Sequence, residues 1–273
     1  LSDKGKLYTL TQNEGLFMGK LSVTPIAAFS DNYIWCISSG EDAVVVDPGD
    51  AAPVIDFLKH AQLKLTAILI THHHWDHTGG VEALLAQYPN VDVWGPETSC
   101  PHINRPLADR DTIGVLGETF RVLAVPGHTL DHLAFYNEAS ALLFCGDTLF
   151  AGGCGRLFEG SPAQMLNSLS KLQSLPGSTR VYCAHEYTAS NLQFALKAEP
   201  NNATLRNRYE QVQALRERGE ITLPSTIDEE SATNPFLRTA QDGVRQAICL
   251  REGNDNLNQQ EVFAALRSWK DNS

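Results

Sequence analysis

The segment Thr71-His72-His73-His74-Trp75-Asp76-His77 constrains this chain more than any other stretch. It follows directly on the apolar run Leu65–Ile70, which reads as a buried strand. Imidazole and carboxylate are the usual ligands of zinc and similar divalent ions. In an extended loop, side chains two residues apart project the same way, so His72 and His74 share a side. Asp76 and His77 come next, where Gly79-Gly80 is expected to permit a tight turn into the following helix. One segment thus offers two ligands to one ion and two to a second. His73 is out of phase and is expected to point away from its neighbours.

Four ligands cannot fill two sites, and further candidates stand just past other strands. His128 lies in Pro126-Gly127-His128-Thr129 after Phe120–Val125, and Asp147 in Gly146-Asp147-Thr148 after Ala141–Phe144. His185 lies in His185-Glu186-Tyr187 after Arg180–Cys183. Open α/β sheets gather their sites at the carboxyl ends of strands. Seven ligands, one of them a bridging carboxylate, give each of two ions four protein contacts. A lone loop histidine is usually a surface or core residue, and His60 and His102 are read that way. His132, four residues after His128, is expected to make a structural hydrogen bond. Asp47, in Val46-Asp47-Pro48-Gly49 after the strand Ala43–Val46, is expected to orient the histidine loop.

The rest of the first two-thirds alternates short apolar strands with helices. Leu21–Ala27, Tyr33–Ser38, Val91–Trp94 and His132–Tyr136 complete the strands; Ala52–Ala61, Gly80–Gln87 and Ala163–Leu175 are the helices. From about Tyr187 the pattern turns helical over Ser190–Lys197, Thr204–Arg218, Gln241–Leu250 and Gln259–Trp269, with no clear strand remaining. Residues 18–189 are therefore expected to form a catalytic domain and 190–273 a helical substrate-binding domain. Residues 1–17 read as a cloning remnant or a loose extension and receive no role.

The strings T-H-x-H-x-D-H, G-H-T, G-D-T and C-A-H-E resemble the metallo-β-lactamase superfamily. That resemblance implies an α/β fold, the αββα sandwich. Asp31-Asn32-Tyr33-Ile34-Trp35, the loop Gly152-Gly153-Cys154-Gly155-Arg156-Leu157-Phe158-Glu159-Gly160 and the helical tail narrow it to the glyoxalase II, or hydroxyacylglutathione hydrolase, family. The family resemblance implies hydrolysis of S-D-lactoylglutathione to D-lactate and glutathione, the second step of methylglyoxal detoxification. Carried over by position, His72, His74 and His128 hold one ion, Asp76, His77 and His185 the other, and Asp147 bridges. Glutathione contacts fall on Arg156, Phe158, Tyr187, Arg267 and Lys270. Arg156 and Phe158 replace the Lys and Tyr of some relatives, and Asp131 stands where Gly is frequent. Arg keeps the charge with a different geometry, and Phe158 loses a hydroxyl.

Two divalent ions are implied, zinc first, with iron or manganese as alternatives. Such ions lower the pKa of bound water to roughly 7. The expected mechanism is attack of a metal-bridging hydroxide on the thioester, with Asp76 orienting it and Asp147 shared. An ordinary thiol has a pKa of about 8.5, so the leaving thiolate needs no dedicated acid. A formal net charge of −11 argues against a nucleic-acid or anionic-membrane partner and requires a local cationic clamp for glutathione. No apolar run reaches the roughly 20 residues of a membrane span, and the dispersed cysteines with no signal peptide suggest a reducing cytoplasm. A monomer is expected. The rival readings are a mononuclear glutathione persulfide dioxygenase, a lactonase or β-lactamase, an RNA-processing nuclease and a non-catalytic metal-binding module.

Overall fold

A computed structural model of the protein describes residues 7–9 and 21–273. The extension expected over residues 1–17 lies outside the described residues except for Leu7–Thr9, a strand paired in parallel with Thr112–Gly114. The chain divides into two compact units: one runs to Ala124 and includes Asp131–Gly146, the other comprises Val125–Leu130 and Asp147–Ser273.

The first unit contains β1 (Leu7–Thr9), β2 (Ser22–Ala28), β3 (Asn32–Ser39), β4 (Asp42–Val46), α1 (Ala51–Ala61), β5 (Lys64–Leu69), α2 (Trp75–Thr78) and α3 (Val81–Gln87). It continues with β6 (Asp92–Gly95), β7 (Arg105–Pro106), β8 (Thr112–Val115), β9 (Glu118–Ala124), β10 (Leu133–Asn137) and β11 (Leu142–Gly146). One sheet has the order β2-β3-β4-β5-β6-β7; a second run has the order β1-β8-β9-β10-β11. Val44, Val45 and Val46 are all buried, as a central strand covered on both faces requires. Val54 and Leu58 of α1 and Val81 and Leu84 of α3 join the same core. Truncating a buried side chain such as Leu58 to Ala costs about 2–5 kcal/mol.

Strands β4 and β5 are parallel, so their carboxyl ends share an edge. There the Asp47 amide donates to the Leu69 carbonyl at 2.9 Å, and the Leu133 amide donates to the Thr71 carbonyl at 2.8 Å. Gly146 closes β11 with φ of +46°, and a Cβ on it would strike the Thr71 hydroxyl. Both its backbone and its lack of a side chain are needed at this edge.

The second unit contains β12 (Leu149–Phe150), β13 (Gly153–Cys154), α4 (Pro162–Gln173), β14 (Arg180–Cys183), α5 (Thr188–Ala198), α6 (Ala203–Glu217), β15 (Ser225–Thr226), α7 (Ile227–Thr233), α8 (Asp242–Glu252) and α9 (Gln259–Asp271). Two of its helices begin with capping boxes, Ser161 with Gln164 and Asn258 with Glu261, each satisfying otherwise orphaned amides. Among the described residues no helix is long and apolar enough to cross a membrane.

Several expectations are corrected. Asp76 and His77 lie in the one-turn helix α2, and Gly79 and Gly80 keep right-handed backbones with φ of −62° and −86°. Their glycine identity serves close approach instead: a Cβ on Gly80 would lie 2.6 Å from the Pro48 carbonyl oxygen. The β8–β9 hairpin escapes the sequence reading because Leu116 and Gly117 both adopt positive φ, a turn where Asn-Gly would have been the signal. Helix α7 escapes it because its buried positions include Glu230 and Thr233 rather than an apolar stripe. A strand does remain after Tyr187, since the two residues of β15 pair with Arg180 and Val181.

Candidate metal centre and flanking cations

In the first unit, Thr71–His74 extends from β5 and α2 begins at Trp75. His72 and His77 are fully buried, and ligand atoms of Asp47, His72 and His77 all lie within 4.8 Å of one another. Thr71 donates its amide to Asp47 Oδ1 and its hydroxyl to Asp47 Oδ2, both at 2.7 Å. Having one proton, that hydroxyl can only accept from His72 Nδ1, 3.0 Å away. His72 therefore carries its proton on Nδ1 and leaves Nε2 unprotonated, 3.1 Å from His74 Nδ1. Asp47 Oδ2 also lies 3.1 Å from His77 Nδ1. That places the His77 proton on Nδ1 and turns its Nε2 lone pair toward Asp76 Oδ2 at 3.4 Å.

The second unit repeats this logic. His128 Nδ1 donates to the Arg156 carbonyl at 2.8 Å, so its unprotonated Nε2 faces Asp147 Oδ2 at 3.4 Å. His185 Nε2 faces the same oxygen at 3.4 Å. Gly155 is the spacer that allows this, since a Cβ there would overlap the Asp147 carbonyl oxygen and lie 3.1 Å from His128 Nδ1.

Unprotonated imidazole nitrogens facing carboxylate oxygens are acceptors facing acceptors. A separation of 3.4 Å is long against the usual N–H···O distance of about 2.9–3.0 Å. Two ligands bound at about 2.05 Å to a tetrahedral ion are separated by about 3.3 Å. The donor set in each unit therefore fits a divalent cation better than it fits direct hydrogen bonding.

The remaining candidates fall into place unit by unit. Phe158 packs edge-on to His128 with centroids 5.3 Å apart, and Tyr187 stacks on His185 at 4.7 Å and 7°. Arg156 is exposed, whereas Arg267 is buried. Lys270 is half-buried over the Phe194 ring, its Nζ 5.1 Å from the centroid. Burial foremost, then Arg267 and Lys197, holds the Lys270 pKa below the ordinary lysine value. In the first unit, His73 lies 3.1 Å from Asp131, which also accepts from Ser99 at 2.7 Å. His132 stacks on His72 with centroids 4.6 Å apart.

The sequence reading missed Asn32, which donates to Asp76 Oδ2 at 3.0 Å from 44 residues away. It also missed the side chains that grip residues 150–154. Asn234 donates to the carbonyls of Phe150 and Gly153, Asn191 to that of Ala151, and Arg267 to that of Cys154. The Gly152 amide donates to Glu230, which is itself paired with the buried Arg208. Only the buried polar letters of a helical tail could have signalled this. None of the six cysteines forms a disulfide. Burial pushes Cys154 to about 11, against the opposing effect of Arg267, so this loop thiol is not a nucleophile at neutral pH.

Residues 29–185 match the family model for the metallo-beta-lactamase superfamily, and residues 186–273 match the hydroxyacylglutathione hydrolase C-terminus. The hydroxyacylglutathione hydrolase of Photobacterium profundum is 52% identical over 92% of this chain and 99% of its own. The chain belongs to the hydroxyacylglutathione hydrolase family. Its fold is accordingly the α/β metallo-β-lactamase sandwich followed by a helical C-terminal domain. Among solved structures, ETHE1 from Myxococcus xanthus superposes with a TM-score of 0.61 at 25% identity, over 92% of this chain and 98% of that one. TTHA1623, solved in a di-iron-bound form, superposes with 0.58 at 27% identity, over 79% and 100%. Family members of this kind are metal-dependent hydrolases, and the two donor sets described above are what such chemistry needs.

Proposed function

We propose that this protein hydrolyses S-2-hydroxyacylglutathione thioesters, S-D-lactoylglutathione foremost, to the 2-hydroxy acid and glutathione. The observation that carries the reading is that the Nε2 atoms of His77 and His128, whose protons sit on Nδ1, stand 3.4 Å from the carboxylates of Asp76 and Asp147. The name and coverage of the curated relatives supply the substrate class.

In this reading His72, His74 and His128 would hold one divalent ion and Asp76, His77 and His185 a second, with Asp147 available to both. Such ions supply an activated water at neutral pH and polarise the reacting carbonyl. Zinc is the first choice, and the di-iron form of TTHA1623 keeps iron in view; manganese suits the same donors. Asp47 and the Arg156 carbonyl hold their histidines in the tautomer that presents Nε2. Asp76, fixed by Asn32, accepts a hydrogen bond from the attacking water and orients it. The C–S bond breaks as the acyl carbon gains oxygen, and glutathione leaves as a thiolate of pKa about 8.5.

Glutathione brings two carboxylates, and Arg156, Arg267 and Lys270 supply positive charge for them, with Phe158 and Tyr187 as apolar walls. The protein works as a cytoplasmic monomer. The test is loss of the thioester absorbance of S-D-lactoylglutathione before and after chelation. Turnover that chelation abolishes and zinc restores supports the reading. A metal-replete protein inert toward this thioester overturns it and favours a lactonase.

A further inference from the structure

The cation best exposed for the substrate is also the one with the fewest constraints of its own. Arg156 is 58% exposed at its side chain, and a long mobile side chain loses rotamer entropy when a ligand orders it. The backbone on either side is already fixed. The Cys154 carbonyl accepts from Arg267 at 2.9 Å, and the Arg156 carbonyl accepts from His128 at 2.8 Å.

We propose that Asp271 is a positioning residue that presents Arg156 to the glutathione carboxylate. This rests on the proposed function. Asp271 Oδ1 accepts from Arg156 Nε at 3.3 Å and from Arg267 Nη2 at 2.8 Å. Arg267 is the anchor: it is buried, its other Nη group holds Cys154, and its guanidinium carbon lies 5.0 Å from the Phe236 ring centroid. Arg267 and Asp271 are four apart on α9, one turn along the same face. A carboxylate fixed by a buried arginine thus fixes an exposed one. It engages Nε, which leaves the planar pair of Nη groups of Arg156 for a bidentate carboxylate.

The sign of the effect separates positioning from simple neutralisation. A carboxylate that merely cancelled positive charge would weaken binding of an anionic substrate, and removing it would lower KM. Positioning predicts the opposite.

The experiment measures kcat and KM for S-D-lactoylglutathione in the wild type, D271A, D271N, R156A, K270A and the two double variants D271A/R156A and D271A/K270A. D271A is expected to raise KM about fivefold to tenfold, the scale of one partly exposed charged hydrogen bond, with kcat within about twofold. D271N, which keeps the shape and an acceptor oxygen but loses the charge, raises KM in the same direction by a smaller factor and serves if D271A folds poorly. On the R156A background the added effect of D271A falls below about twofold. An unchanged or lower KM overturns the proposal. So does a full KM rise on the R156A background, a rise lost only on the K270A background, or a loss confined to kcat. If the wild type does not turn the thioester over, the proposed function falls instead. Calorimetric titration of the same proteins with glutathione then decides the role of Asp271.

Discussion

The Thr71 hydroxyl donates to Asp47 Oδ2 at 2.7 Å, and this single bond fixes which nitrogen of His72 keeps its lone pair. The same carboxylate lies 3.1 Å from His77 Nδ1, so one buried aspartate sets the tautomer of two histidines. Replacing Asp47 with Ala is expected to lower metal affinity about 10–100-fold. Competition with a chelator of known affinity measures it. A variant with wild-type affinity would mean that Asp47 only shapes the turn.

Gly155 lets residues 154–156 run against Asp147 and His128. A Cβ at that position overlaps backbone, which a side-chain rotamer change cannot relieve. Gly155→Ala is therefore expected to lower metal content and to lose at least about tenfold in kcat/KM. Elemental content and turnover are measured on the same preparation. Unchanged content and rate would show that this loop can shift without cost.

Arg208 and Glu230 form a buried pair at 2.6 Å, and Glu230 also receives the Gly152 amide. Arg208→Ala strands the carboxylate and should cost about 3–5 kcal/mol of stability, read from urea unfolding. A cost below about 1 kcal/mol, within the range of exposed pairs, would show that water reaches Glu230.

Burial first, then Arg267 and Lys197, lowers the pKa of Lys270 in the folded protein. The unfolded chain consequently binds more protons than the folded one in the window just below 10.5, and stability contributed by this group rises with pH there. Lys270→Met removes the cost of holding the charge. Its stability advantage over the wild type is expected to be largest near neutrality and to shrink as pH approaches 10.5. Unfolding curves at several pH values check this, and an advantage independent of pH contradicts it.

The histidine run and the strand-end positions of His128, Asp147 and His185 were legible because metal donors and strand boundaries are both local signals. Asp47 was legible as the carboxylate that orients the histidine loop, whereas its route to His72 through the Thr71 hydroxyl, across 24 residues, was not. Asn32 beside Asp76 is a partner that only the sheet brings near. Arg267 was readable as a cation, whereas its burial and its grip on Cys154 emerge only when α9 is packed. The β8–β9 hairpin stayed hidden because Leu116 occupies a positive-φ position that usually carries Asn or Gly.

The most direct measurement is elemental analysis of the purified protein beside its His77→Ala and His128→Ala variants. The account predicts about two divalent ions per wild-type chain, with each substitution removing close to one. A wild type that saturates with a single ion, or that hydrolyses S-D-lactoylglutathione at full rate with none, would contradict it.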